Sequence, residues 1–303
     1  MRFTGERWAG DDLVPDPRHE SRYSEYAVAR QYARGKVVLD IGSGDGCAAF
    51  LLAEESKEVI GVEVAREAVE LARQRYQRPN LRFQQMSGTQ LGFPDNTFDL
   101  ITSFQVIEHV PEVEVFVDEM IRVLKPDGRL LVTTPNRLTS IGENPYHVQE
   151  YSPDEFRTLF DGRFGEVTIL GCQGSAAAEQ HWRLRGRVVR GLLRLDVLRL
   201  RHRLPRRLIL RVYPFGYRVS WVIRRFLGKL MRVPQELTQQ DFLISEQCLD
   251  RALWLAAVAV GPVKAALGPG AGIVPRTDND DGSGVLGDAR SAHISPLGQG
   301  RDI

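Results

Sequence analysis

At 303 residues the chain can bury a sizeable core, and its 43% hydrophobic and 26% charged content is that of a globular protein, not a disordered or collagen-like one. The net charge of +1 names no partner, while Cys47, Cys172 and Cys248, odd in number and widely spaced, argue against a disulfide scaffold or a thiolate metal site and fit a reducing compartment. Met1–Arg7 has no apolar core of signal-peptide length and no apolar run reaches membrane-spanning length, so a cytoplasmic protein is expected.

Residues 1–15 are polar and irregular, and Pro15-Asp16-Pro17 breaks the chain before Arg18–Arg34, where Tyr23, Tyr26, Ala27, Ala29 and Tyr32 have helical spacing. Residues 1–35 are thus a lead-in ending in a helix. Val37–Ile41 then reads as a buried strand, and Gly42, Gly44 and Gly46 carry a tight turn into the helix-like Cys47–Ser56. Glycines at alternate positions let a ligand lie against the main chain. The turn is neither the dinucleotide fingerprint Gly-x-Gly-x-x-Gly nor a phosphate loop ending in Gly-Lys-Ser/Thr.

Glu58–Glu63 is a second strand ending in an acid, and a carboxylate roughly 20 residues past such glycines is placed to accept both hydroxyls of a ribose. Val64, Ala68, Leu71 and Ala72 supply the helix of a right-handed strand-helix-strand unit. Leu81–Gln85 is a third strand, and Leu91–Ser103 turns into a fourth. Gln105–Pro111 follows at the edge where open α/β sheets bind ligands. A helix with apolar residues at Val113, Phe116, Val117, Met120, Ile121 and Leu124 leads through Lys125-Pro126-Asp127-Gly128 to a fifth strand, Arg129–Thr134.

These runs in this order, with Pro94–Asp99, Glu108-His109-Val110, Arg122–Gly128 and Thr134-Pro135-Asn136, resemble class I S-adenosylmethionine-dependent methyltransferases. The similarity is to the methyltransferase domain shared by quinone-biosynthetic and sugar-modifying enzymes. It implies a Rossmann-like, doubly wound α/β fold with a seven-stranded, mostly parallel sheet in the order 3-2-1-4-5-7-6. The implied cofactor is S-adenosylmethionine, with Asp40, Gly42 and Gly44 at the turn, Glu63 on the ribose, Ser87 and Gly88 near the adenine, and Gln105 near the methionine end. The chain departs from the family at Met86-Ser87-Gly88, where Gly-Asp-Ala is usual. Phe3–Arg7 and His19–Tyr23 resemble the opening of bacterial glycan and natural-product methyltransferases, in which Arg22 and Tyr23 could reach the cofactor carboxylate.

The Asn144–Ser152 loop lies where this family builds its acceptor pocket, and Ser152-Pro153-Asp154-Glu155 reads as a helix cap. Phe164–Leu170 is a sixth strand and Asp241–Ser245 a seventh. The expected organisation is a lead-in at 1–35, a methyltransferase core at 36–174, a helical insertion at 175–237 between strands six and seven, a last strand and C-terminal helix at 238–267, and a disordered tail at 268–303. Methyl transfer is an in-line displacement, so the protein must align the partners and exclude water. A hydroxyl acceptor adds the need for a base. His109 and His147 fall on loops at the cofactor edge and are the candidates, with His147 favoured; each can equally be read as a hydrogen-bonded loop residue, and Glu108 as its orienting group or a helix cap. No metal is expected.

Residues 181–232 hold fifteen arginines and one lysine against the single acid Asp196, which leaves the rest of the chain acidic. Arg183–Arg194, Leu198–Leu210 and Val219–Met231 have helical spacing, with Trp221 and Phe226 among the arginines. That pattern suits an anionic membrane surface or a lipid-linked substrate, or else an arginine-rich lid whose charges are solvated. Nothing in it resembles a base-reading module, which argues against nucleic acid. The expected function is O-methylation of a sugar hydroxyl in a glycan, glycolipid or glycosylated natural product, peripheral at the inner membrane face. A quinol-like phenol acceptor is the alternative, and a non-catalytic protein of methyltransferase fold that binds a membrane or partner is another.

Overall fold

The computed structural model describes residues 18–140, 144–194, 219–220, 222–223, 226–228, 230–231, 233 and 237–263. Contacts divide the chain into Met1–Val263 and Lys264–Ile303, and every described residue belongs to the first. The Phe3–Arg7 motif, the Leu198–Leu210 stretch and the expected tail at 268–303 lie outside the described residues.

The centre of the sheet is β1 (Val37–Ile41), whose Val38, Leu39, Asp40 and Ile41 are all buried. A strand covered by helices on both faces reads as a continuous apolar run, not an alternation. β2 (Glu58–Glu63) pairs with it in parallel on one side, followed by β3 (Leu81–Gln85). β4 (Phe98–Phe104) pairs on the other side and β5 (Leu124–Pro135) follows, also parallel. The chain therefore reverses its winding between β1 and β4, the place where open α/β sheets leave a crevice.

One face carries α1 (Arg18–Ala33), α2 (Cys47–Leu52) and α3 (Arg66–Arg75), with Ala29, Leu52 and Ala72 in its core. The other carries α4 (Val113–Val123) and α5 (Pro153–Thr158), around Phe116, Met120 and Phe156. Ser152 caps α5 as the sequence suggests: its hydroxyl accepts from Glu155 N–H and its own N–H donates to Glu155 Oε2 at 2.8 Å.

The far half of the sheet departs from the expected order. The observed order is β3-β2-β1-β4-β5-β8-β6-β7, with β6 (Phe164–Gly174), β7 (Phe242–Ser245) and β8 (Trp254–Pro262). The Asp241–Ser245 segment, expected between strands five and six, lies at the outer edge and pairs with β6 alone. Its expected place is filled by β8, antiparallel to both β5 and β6, in a stretch read from sequence as a C-terminal helix. Alanine favours helix when a segment stands alone. Here Leu255, Ala256, Ala257 and Ala259 are fully buried. Small apolar residues are what a strand enclosed on both faces requires, so tertiary burial overrides propensity.

The insertion leaves and re-enters the sheet at one point. Ser175 N–H donates to Asp241 O at 2.7 Å and its hydroxyl to Asp241 Oδ1 at 2.6 Å. α6 (Ala176–Arg194) starts there, and the helical stretch within 219–230 packs Ile223 and Leu227 against its Leu184 and Val188, making a small satellite core.

Candidate functional site

The turn after β1 is fastened to the tip of β2, because Gly42 N–H and Ser43 N–H both donate to Val62 O, at 2.8 and 3.0 Å. Two of its glycines serve different ends. Gly44 has φ +57° and no heavy atom within 4 Å of where a Cβ would stand, so its open side faces the cleft. Gly46 has φ +93° and is packed, since a Cβ would lie 2.6 Å from the Phe83 ring. Left-handed backbone at both positions is what glycine permits.

The acids of the turn are held in fixed places. Glu63 is buried at the tip of β2, with Oε2 accepting from Gly44 N–H at 3.3 Å and Oε1 from Ala65 N–H at 2.9 Å. Asp40 Oδ1 accepts from the Thr102 hydroxyl at 2.8 Å. Its Oδ2 is buried on the cleft wall and receives no hydrogen bond from any described residue. Burial pushes the Asp40 carboxyl up to about 7; the Thr102 hydrogen bond opposes this and the nearby Glu63 carboxylate reinforces it.

A third buried acid reaches the same wall from α1. Glu25 Oε2 accepts from the Thr133 hydroxyl at 2.6 Å and Oε1 from Gln105 Nε2 at 3.2 Å. Gln105 sits just past β4 with φ +57°, a conformation uncommon for a side-chain-bearing residue and typical of functional turns. Sequence reasoning finds Gln105 but misses Glu25, because no local pattern marks a carboxylate that acts so far along the chain.

Asp40, Gly42, Gly44, Glu63, Ser87, Gly88, Gln105 and His109 all stand on the wall of one cleft of about 580 Å³. At its far end the Ser87 hydroxyl pairs with that of Thr89 at 2.8 Å, so two hydroxyls stand where the family usually has an acid. Thr89 is a second wall residue that the sequence reading did not single out. A Cβ at Gly88 would come within 2.4 Å of the Phe116 ring, which bars any larger residue beside that aromatic wall.

His147 is not on the cleft wall; its ring lies 4.9 Å from that of His109. Both its nitrogens are engaged. Nδ1 donates to Glu150 Oε1 at 2.6 Å, and Nε2 accepts from Asn144 Nδ2 at 2.7 Å, the amide orientation being set by Asn144 Oδ1, which accepts from Tyr146 N–H. The hydrogen bonds from His147 and Ser140 outweigh burial and hold the Glu150 carboxyl below the usual range. To take a proton at Nε2, His147 would have to expel the Asn144 amide. His109 is arranged differently: its Nδ1 faces Tyr146 O at 3.1 Å, which places the proton there and leaves Nε2 as the basic nitrogen. That nitrogen lies 3.9 Å from Oε1 of the buried Glu108. Donor atoms of Glu108, His109 and His147 lie within 4.8 Å of one another, and His147 could serve a metal there through Nε2 once that nitrogen gave up the Asn144 amide. The Arg22 side chain lies outside the described residues, and Tyr23 packs on Tyr26.

Residues 39–132, from β1 into β5, match the family model for a methyltransferase domain. The chain is 36% identical over 179 residues to a probable S-adenosylmethionine-dependent methyltransferase of Mycolicibacterium smegmatis, a match covering 57% of this chain and 68% of that protein. The chain belongs to the S-adenosylmethionine-dependent methyltransferases. A second such protein, from Mycobacterium tuberculosis, is 37% identical over 180 residues, covering 56% of this chain and 64% of its own length, so the likeness spans about two thirds of these relatives. A solved methyltransferase of Thermotoga maritima, 16% identical, superposes with a TM-score of 0.51 over 80% of this chain and 90% of its own, which shows the fold alone.

The cofactor of this methyltransferase is S-adenosylmethionine, and the wall fits it. An orphaned carboxylate oxygen on Asp40 suits the cationic methionine half, and the open side of Gly44 leaves room against the backbone.

Proposed function

We propose that this methyltransferase methylates a hydroxyl group carried on a sugar ring, with His109 as the base. S-adenosylmethionine supplies a methyl on a sulfonium, already a good leaving group. Glu25 and Asp40 would hold the ammonium of its methionine half, Glu63 its ribose hydroxyls, and Ser87 with Thr89 its adenine. With the cofactor bound, the acceptor oxygen would form the new C–O bond as the C–S bond breaks, and His109 Nε2 would take the acceptor's proton. The imidazolium so formed is held between the Tyr146 carbonyl and the Glu108 carboxylate.

The observation that carries this reading is the placement of His109 on the wall, with its Nδ1 on the Tyr146 carbonyl and the buried Glu108 carboxyl 3.9 Å from its Nε2. An alkyl hydroxyl is far less acidic than a phenol and gains more from such a base. The sequence expectation places the acceptor pocket in the Asn144–Ser152 loop. Asn144, His147 and Glu150 bond to one another and, with Gln149, are off the cleft wall, which withdraws their support for a sugar and leaves Glu112 and Tyr146 as polar lining. One observation favours a second reading: Tyr26, Phe104 and Tyr146 give the wall aromatic faces on which a phenol ring could stack.

Methyl transfer from labelled cofactor to a panel of sugars, lipid-linked glycans and quinol-like phenols tests both. Turnover with a sugar that falls sharply in His109→Ala supports the first reading. Turnover confined to phenols and insensitive to that substitution overturns it.

A further inference from the structure

The helical stretch within 219–230 has two apolar sides, and among the described residues one of them is packed. Ile223 and Leu227 face α6, where they pack on Leu184 and Val188. Val222, Phe226 and Leu230, spaced four apart and so on one stripe, are 59%, 69% and 70% exposed, and Met231 is 49% exposed. Three large apolar side chains in line on a surface helix mark a contact face.

The charge around them identifies what they contact. Residues 181–232 hold fifteen arginines and one lysine against one acid, and Arg224, Arg225, Lys229 and Arg232 interleave the stripe in sequence. On α6, Arg183, Arg187 and Arg190 are exposed. Apolar anchors within a strongly basic segment are the pattern of a helix that lies in the plane of an anionic bilayer surface, with arginines on headgroups and the stripe in the acyl boundary. Among the described residues no helix is long and apolar enough to cross a membrane.

We infer that the 219–231 segment docks the protein on an anionic phospholipid surface through Val222, Phe226, Leu230 and Met231. The insertion is rooted through Ser175 and Asp241 at the end of β6, the same sheet edge as the end of β5, where Pro135 pairs through Trp254 to Cys172. Docking there ties the bilayer to the edge that carries the cofactor cleft. The inference is independent of the acceptor, because it rests on no cleft residue.

Co-sedimentation of the full chain with vesicles of equal parts phosphatidylglycerol and phosphatidylcholine tests it, with phosphatidylcholine vesicles as the control. The wild type should sediment with the first and not the second, and less so at high salt. The double variant Phe226→Glu/Leu230→Glu should lose roughly tenfold or more of this binding, since it removes two anchors and adds two charges repelled by the headgroups. Cofactor affinity of that variant should be unchanged. As a milder probe, the indole introduced by Phe226→Trp should shift its emission to the blue on anionic vesicles alone. Wild type that fails to sediment, a double variant that sediments as well as wild type, or an emission blind to the vesicles would each overturn the inference. So would a double variant that changes only the oligomeric state, which would assign the stripe to a second copy of the chain.

Discussion

Glu25 accepts a hydrogen bond from Thr133 at 2.6 Å across 108 residues of chain, so the lead-in helix α1 delivers a buried carboxylate to the carboxyl end of β5. The same carboxylate holds the side chain of Gln105, whose main chain is in the left-handed region. Glu25 and Asp40 thus form an acidic end to the cleft. A hydrogen bond to a charged partner is worth about 1.5–3 kcal/mol. Glu25→Gln should weaken S-adenosylmethionine binding roughly tenfold or more at nearly unchanged melting temperature, read by calorimetry. Equal affinity in the variant would remove Glu25 from the cofactor site.

Asp40 makes binding depend on pH. Its carboxyl is raised in the folded protein to about 7, chiefly by burial. Between the unfolded value near 3.8 and about 7 the folded state holds a proton that the unfolded state has released, so this group's contribution to stability is full at low pH and is lost as pH rises through about 7. A cationic ligand favours the ionised form. Cofactor affinity should therefore rise between roughly pH 6 and 8 with release of a proton, visible as a buffer-dependent heat. Asp40→Asn should bind more weakly and show a flat profile.

Much of the near half of the molecule is legible in the sequence, because its signals are local. The run Val37–Ile41, the glycine turn and Glu63 declare strand, turn and strand tip within about thirty residues. The far half is not. Phe242–Ser245 suits a strand by composition while the alanine-rich Trp254–Pro262 suits a helix, and the second takes the place beside β5 because its alanines can be tightly enclosed there. The demotion of His147 was readable in principle, since Asn144, His147 and Glu150 stand three residues apart and a turn brings such groups together. Glu25 carries no such signal.

The two histidines should separate on substitution. His109→Ala should lower kcat by about 10²–10⁴-fold and abolish the acidic limb of the pH–rate profile, as removal of a general base does. His147→Ala leaves Glu150 and Asn144 without their half-buried partner and should chiefly lower thermal stability, by about 1–3 kcal/mol. If the His147 variant lost its pH limb and the His109 variant kept it, the assignment would reverse.

Gly44 and Gly46 give a last contrast, because both need positive φ but only one is packed. Alanine in left-handed backbone costs about 1–2 kcal/mol, so each variant should melt lower. At Gly46 the added methyl would stand 2.6 Å from Phe83 and 2.9 Å from the Ala72 side chain, and overpacking of this kind costs a further ~1–3 kcal/mol. At Gly44 the methyl meets no protein atom within 4 Å outside its chain neighbours and stands in open space at the cleft wall, where the proposed function places the cofactor. Gly46→Ala should therefore show the larger fall in melting temperature and, in its folded fraction, near-normal cofactor affinity. Gly44→Ala should show the smaller fall and the larger loss of affinity. Thermal melts paired with cofactor titrations decide it: if Gly44→Ala bound the cofactor as tightly as the wild type, the backbone at that turn would not be the surface against which the cofactor lies.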